Sequence, residues 1–170
     1  MTTEDRSTRF LDVMERHKGI LYKIAHSYCK VPEDRKDLIQ EIFIQLWRSF
    51  DKYDDTYRHS TWIYRIALNT AISFYRKTRV RDKISLPITE GEMNFTALDD
   101  IGEKEAHLSI LQQFIQGLKE IDKALMLLYL EEKSYREISV ITGITETNVA
   151  TKVSRIKAAL QQKFLQLKEK

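Results

Sequence analysis

Glycine, proline and cysteine are scarce in this chain, at five, two and one in 170 residues. So few breakers suit a helical protein. The single cysteine, Cys29, has no internal disulfide partner, which fits a reducing compartment. His26 lies one helical turn before it and His17 further upstream, and without a second cluster these make a poor metal site, so neither a metal nor a cofactor is expected. No apolar run approaches the length of a membrane span, and the N-terminus, MTTEDRSTRF, lacks the apolar core of a signal peptide. The expectation is a soluble, cytoplasmic protein without membrane insertion. A large charge of one sign is missing too: 28 Lys and Arg against 25 Asp and Glu leave +3, so any nucleic-acid surface must be local. Hydrophobic content of 42% is enough for a core, and the length allows one ordinary domain or two small ones.

What the chain does have is concentrated in His59–Arg79, HSTWIYRIALNTAISFYRKTR. Trp62, Ile63, Ile66, Ala67, Thr70, Ala71 and Phe74 recur at helical spacing and predict one broad core face. Arg65, Asn69, Ile72, Arg76 and Arg79 follow one another by threes and fours along another side, flanked by Tyr64 and Tyr75. That stripe contains guanidiniums, an amide and rings, and no carboxylate. Guanidiniums hold phosphates, an amide reads base edges and rings stack on bases. A solvated basic face is the plainer reading of the same residues.

Upstream, a helix is expected over Ser7–Cys29, with Phe10, Leu11, Met14, Leu21, Ile24, Ala25 and Tyr28 inward and Gly19 weakening its middle. Val31-Pro32-Glu33 breaks it, and Pro32 is placed to start a second helix running to Ser49. There Leu38, Ile39, Ile42, Phe43, Leu46 and Trp47 take half the circumference, and Asp37, Gln40, Glu41, Gln45 and Arg48 take the other. Ile44 sits alone among those polar residues, as in a contact with a partner helix. Phe50–Arg58 reads as a polar, aromatic loop, with Ser60 or Thr61 capping the helix that follows.

After Arg79 the pattern collapses. Lys83–Lys104 holds Pro87, Gly91, Gly102 and the acids Glu90, Glu92, Asp99, Asp100 and Glu103, and reads as a flexible acidic linker. A second helical domain is expected from Glu105, with Leu108, Leu111, Phe114, Ile115 and Leu118 on one face, Gly117 as a stop or a kink, and Ile121–Leu130 as its buried centre. Ser134 and Glu137 form a capping-box pattern, Gly143 closes the helix and Thr145 caps the next. Two helices joined by a glycine turn are a helix-turn-helix. The free face of its second helix carries Thr147, Asn148, Thr151, Lys152 and Arg155, side chains suited to base edges and phosphates in the major groove. The fold class is therefore all-α: domains over 7–80 and 105–168 and a linker over 81–104.

Three segments, DLIQEIFIQLW at Asp37–Trp47, STWIYRIALNTA at Ser60–Ala71 and SYREISVITGITETNVATKVSRIKAAL at Ser134–Leu160, resemble three successive signatures of the extracytoplasmic-function (ECF) sigma factors of bacterial RNA polymerase. Order, spacing and length all match. The resemblance implies sigma region 2 in the first domain and region 4 in the second. It implies that Asp37, Gln40, Glu41, Ile44 and Arg48 dock on the β′ clamp helices of core RNA polymerase. Tyr57, Arg58, His59, Trp62, Arg65, Asn69, Arg76 and Arg79 would capture and help open the −10 element of promoter DNA. The Phe50–Arg58 loop would pocket a flipped base, whose unstacking costs a few kcal/mol. Thr147, Asn148, Thr151, Lys152 and Arg155 would read the −35 element. The β flap and an anti-sigma factor are further implied partners, and the linker would thread the polymerase channels. Many relatives carry a basic residue where this chain has Ala150, which implies either an unusual −35 sequence or a contact carried instead by Lys152.

Two other classes compete. A conventional helix-turn-helix repressor or activator explains Ser134–Leu160 but leaves the Arg65–Arg79 stripe and Ile44 without a purpose. A sensor of that kind needs a pocket for a small molecule, and none is indicated. A nuclease-like enzyme needs clustered carboxylates, and Asp54 with Asp55 is the only close acidic pair in a suitable loop, so no catalytic residue is assigned.

Overall fold

The computed structural model describes residues 2–85 and 102–169, and these are helical apart from short connections. The elements are α1 (Thr3–Tyr28), α2 (Pro32–Ser49), a 3₁₀ turn (Phe50–Lys52), α3 (His59–Ser85), α4 (Glu103–Gln116), α5 (Glu120–Leu130), α6 (Tyr135–Thr142) and α7 (Glu146–Lys168). The chain divides into two compact units, residues 1–79 and 80–170. No helix among the described residues is long and apolar enough to cross a membrane.

In the first unit α1 and α2 form an antiparallel hairpin. Arg35 donates to the Cys29 carbonyl at one end (2.9 Å) and Arg6 donates to the Trp47 carbonyl at the other (2.9 Å). α1 starts earlier than its apolar period suggests because Thr2 and Asp5 form a reciprocal capping box, which satisfies two backbone donors outside the amphipathic stretch. It runs unbroken through Gly19. Pro32 takes the first turn of α2, where its missing N–H costs nothing. Phe10, Ile24, Leu38, Ile42, Leu46 and Ile63 are fully buried between the three helices. Each side chain of this size contributes roughly 1.5–3 kcal/mol on burial.

α3 departs from expectation in three ways. Its first hydrogen bond runs from Trp62 N–H to the Arg58 carbonyl, so Arg58 is the cap and Ser60 and Thr61 lie inside the helix. It continues to Ser85, past the boundary expected at residue 80. Its buried arc is also rotated: Ile63, Ala67 and Ala71 are inward as expected, but Tyr64, Leu68 and Ile72 join them, while Trp62, Ile66, Thr70 and Phe74 are half-buried. The acidic segment expected as a linker falls largely on 86–101, outside the described residues; Glu103 and Lys104, assigned to it, are in the first turn of α4.

The second unit packs α5 against α6 and α7, with α4 alongside. Leu125, Leu128, Ile138, Val149 and Val153 are fully buried, and Phe114, Met126 and Ile156 form a cluster closed by Leu118, Tyr129 and Leu160. Gly117 ends α4, donating to the Gln113 carbonyl. Gly143 ends α6 at φ 76°, a left-handed conformation that a Cβ disfavours.

Candidate nucleic-acid and partner interfaces

The outward side of α3 presents Arg65, Asn69, Ser73 and Arg76, all exposed, with Lys77 and Arg79 beyond. No Asp or Glu occurs between residues 56 and 81, so this stretch of the helix carries charge of one sign. One member of the expected stripe, Ile72, and one of its two flanking rings, Tyr64, are elsewhere. Ile72 is 9% exposed and Tyr64 is 4% exposed, so both are core residues and neither offers a surface to a base. Ser73 replaces Ile72 on the open face, a small polar residue whose position only the true rotation of the helix reveals. Tyr75 meets Tyr28 edge-on, centroids 6.3 Å apart.

The loop before α3 is braced by its own side chains. Asp54 accepts from the Thr56 N–H (3.1 Å) in an Asx turn, the Thr56 side chain and then its N–H hold the Asp54 carboxyl below the usual carboxylate range, and Asp55 takes the left-handed φ of 60° that Asp tolerates better than bulkier residues. The Tyr53 hydroxyl donates to the Tyr57 carbonyl. Its ring stacks on His59 and lies 5.3 Å from Trp62, which in turn lies 6.1 Å from the buried Phe50. The result is an aromatic wall that leads from the core to the start of α3. Tyr57 and Arg58 project from it, exposed. A surface cleft of about 370 Å³ opens beside the wall, lined by Arg9, Asp12 and Arg16 of α1 and by Tyr53, Asp55 and His59. His17 also faces His59, ring centroids 6.3 Å apart; burial, then the His59 and Arg16 charges, hold its imidazole below the usual histidine range.

On α2, Asp37, Gln40, Ile44 and Arg48 are exposed and Glu41 is half-buried, its carboxylate accepting from Gln45 (2.9 Å). Ile44 is 42% exposed, as a lone apolar residue on that face should be. Phe43, expected in the core, is 37% exposed: one edge packs against Phe10 and the rest adds to the Ile44 surface. Position in the apolar half of the period hid this.

In the second unit the turn between α6 and α7 is tied by side chains. Ser139 donates to the Ile144 carbonyl (2.6 Å) and Thr142 accepts from the Ile144 N–H (3.4 Å). Ser134 and Thr145 cap α6 and α7 by accepting from Glu137 N–H and Asn148 N–H. The reverse half of the expected capping box is replaced by an approach of Glu137 to Lys133 (4.0 Å). Along α7, Thr147, Asn148, Thr151 and Arg155 are exposed and Lys152 is half-buried. Thr151 donates its proton to the Thr147 carbonyl (3.0 Å), which leaves its oxygen outward as an acceptor. Ala150 is half-buried, toward the domain rather than on the open face. Among the described residues no cluster of His, Cys, Asp and Glu could hold a metal ion.

Residues 13–81 match the family described as Sigma-70 region 2, and residues 108–160 match Sigma-70, region 4. The chain is similar to the ECF RNA polymerase sigma factor SigW of Bacillus subtilis, at 27% identity over 93% of this chain and 90% of that one. It is similar to the ECF RNA polymerase sigma-E factor of Escherichia coli, at 30% identity over 76% of this chain and 73% of that one. Its fold resembles that of CnrH, solved in complex with the cytosolic domain of CnrY, with a TM-score of 0.65 at 19% identity over 93% and 88% of the two chains. It also resembles RpoE of Bartonella quintana, solved with the anti-sigma factor NepR, with a TM-score of 0.63 at 20% identity over 94% and 96%. With region 2 in the first unit, region 4 in the second, and ECF factors among its relatives, the chain belongs to the extracytoplasmic-function sigma factors, non-enzymatic subunits that direct RNA polymerase to initiate transcription.

Proposed function

We propose that this sigma factor works in the cytoplasm through three surfaces, one in each of α2, the loop with α3, and α7. The Asp37–Arg48 face of α2, centred on Ile44, docks on the β′ clamp helices of core polymerase. The loop and the outward side of α3 capture the −10 element, with Tyr57, Arg58, His59 and Trp62 around an unstacked base and Arg65, Asn69, Arg76 and Arg79 along the strand. Thr147, Asn148, Thr151, Lys152 and Arg155 of α7 read the −35 element, and the second unit meets the β flap. An anti-sigma factor is a natural regulator, in line with the complexes in which CnrH and RpoE were solved.

The observation that carries the reading is the side of α3 that presents Arg65, Asn69, Ser73 and Arg76 with no carboxylate, next to a self-braced aromatic loop. A merely solvated helix would gain from mixed charge and would not need a neighbouring wall of rings. The test is open-complex formation by the reconstituted holoenzyme on a promoter and on single-base variants of its −10 element, at two salt concentrations. Asn69→Ala should lose activity in a sequence-dependent way, because amide-to-base hydrogen bonds specify. Arg76→Ala should lose activity on every template, with a shallower salt dependence. Wild-type behaviour of Asn69→Ala on all templates would return α3 to a solvated face.

A further inference from the structure

We propose that Arg6, near the start of α1 and upstream of the residues matching region 2, is a positioning residue that sets the −10 loop. The inference rests on the reading of that loop given above. Three contacts of one side chain converge on the junction between α2 and the 3₁₀ turn. Arg6 Nε lies 2.7 Å from Asp51 Oδ1, Nη2 donates to the Trp47 carbonyl at 2.9 Å, and the guanidinium carbon sits 3.8 Å from the centre of the Trp47 ring. The Trp47 carbonyl already accepts from the Phe50 N–H, so Arg6 grips the peptide at which α2 tightens into the turn. A cation at a helix C-terminus is also favoured by the helix dipole.

That junction is the root of the loop. Asp51 belongs to the 3₁₀ turn, and the turn ends with Tyr53 N–H donating to the Phe50 carbonyl. Tyr53 then carries the stack on His59 and the contact with Trp62. A shift of the turn therefore moves the aromatic wall as a body, because its members are packed on one another and on Phe50. The position of Arg6 is fixed in turn: its N–H donates to the Thr2 carbonyl, and the Thr2–Asp5 capping box holds the same turn of α1 against fraying. Only a planar fork makes all three contacts. A lysine supplies one point charge and loses the second donor and the stacking plane.

The test uses the full chain with core polymerase. Wild type, Arg6→Lys, Arg6→Ala and Asp51→Asn are compared for core affinity, thermal midpoint, and the ratio of open-complex formation on the cognate −10 element to that on single-base variants. Arg6→Lys and Arg6→Ala should bind core as wild type does and lower the selectivity ratio by on the order of tenfold, equivalent to about 1.4 kcal/mol. Arg6→Ala combined with Asp51→Asn should match Arg6→Ala alone, since one clamp is being broken twice. A purely structural Arg6 would lower the midpoint and scale activity equally on every template; that result, or wild-type selectivity in Arg6→Lys, overturns the proposal. Asn69→Ala is run beside them: if it loses selectivity while Arg6→Lys does not, the Arg6 inference falls alone, and if neither does, the reading of α3 falls with it.

Discussion

The phenol ring of Tyr53 lies stacked on the imidazole of His59, centroids 4.6 Å apart and planes inclined by 28°. The two residues belong to different pieces of the proposed −10 surface, the loop and the first turn of α3, and the stack joins them. The hydroxyl of Tyr53 ties the far end of the loop by donating to the Tyr57 carbonyl. Burial, then the charges of Asp55 and Asp54, push the phenol pKa above its usual value, further from neutral pH, where a tyrosine already holds the proton needed for that bond. Tyr53→Phe keeps the stack and removes a hydrogen bond contributing about 1 kcal/mol. Tyr53→Leu also removes aromatic pairing of about 0.5–1.5 kcal/mol. Amide hydrogen exchange at Thr56–Arg58 should quicken in Tyr53→Phe and more so in Tyr53→Leu, while exchange in the core of α2 stays slow. Equal loop protection in all three proteins would show that the loop is held by something else.

His17 gives the first unit a pH dependence of definite sign. Its folded pKa is depressed by burial, by His59 and by Arg16, so the unfolded chain binds the proton more readily. The stability it contributes is present above the ordinary histidine value of about 6.5 and is lost as pH falls through the folded pKa. On going from about pH 7.5 to about pH 5.5 the thermal midpoint should fall, and His17→Gln should fall less. Parallel curves for the two proteins would remove His17 from the acid response.

Ile44 and Phe43 together predict where polymerase binding is lost. An apolar pair on an otherwise polar helix face is the kind of small central patch that carries a disproportionate share of binding energy. Ile44→Asp should weaken core binding by about 2 kcal/mol or more and leave the helical content unchanged, since Ile44 is exposed. Titration of core polymerase with the variant measures this, and wild-type affinity would rule the face out.

The parts of this molecule that were legible in its sequence are those set by local chemistry. Pro32, Ser134, Gly143 and Thr145 each act within a turn or so of themselves, and each begins or ends a helix as expected. The phase of α3 was less legible because apolar residues occupy most of its circumference. Ile72 and Tyr64 suit either side by composition, and only packing against α1 and α2 decides between Ile72 and Ser73 for the open face. Arg6 was invisible for a different reason. Its partners lie 41 and 45 residues away, and no spacing rule links a guanidinium to a carbonyl at that distance in sequence. Phe43 shows the converse limit: its place in the apolar period is right, yet α1 covers only one edge of its ring.

Arg155 offers the most direct test of α7. It is exposed on the same side as Thr151 and Asn148, one turn after Thr151, and the helix is fixed at its start by the Thr145 cap and on its inner side by Val149, Val153 and Ile156. Because those inward residues are untouched, Arg155→Ala should leave the stability of the second unit within about half a kcal/mol of wild type. Its effect on DNA then separates two roles. A guanidinium bidentate to a guanine would cost about 1–3 kcal/mol on the cognate −35 duplex and nothing comparable on a scrambled one. A guanidinium on a phosphate would cost the same on both duplexes and would lower the salt slope by about one. Lys152, half-buried with only part of its length free, is placed for the phosphate role, so Arg155 is expected to take the base. The measurement is holoenzyme binding to promoter fragments that differ only in the −35 element, across a salt series. Unchanged binding of Arg155→Ala to both fragments at every salt concentration would remove Arg155 from the interface and shift the reading surface of α7 toward Thr147 and Asn148.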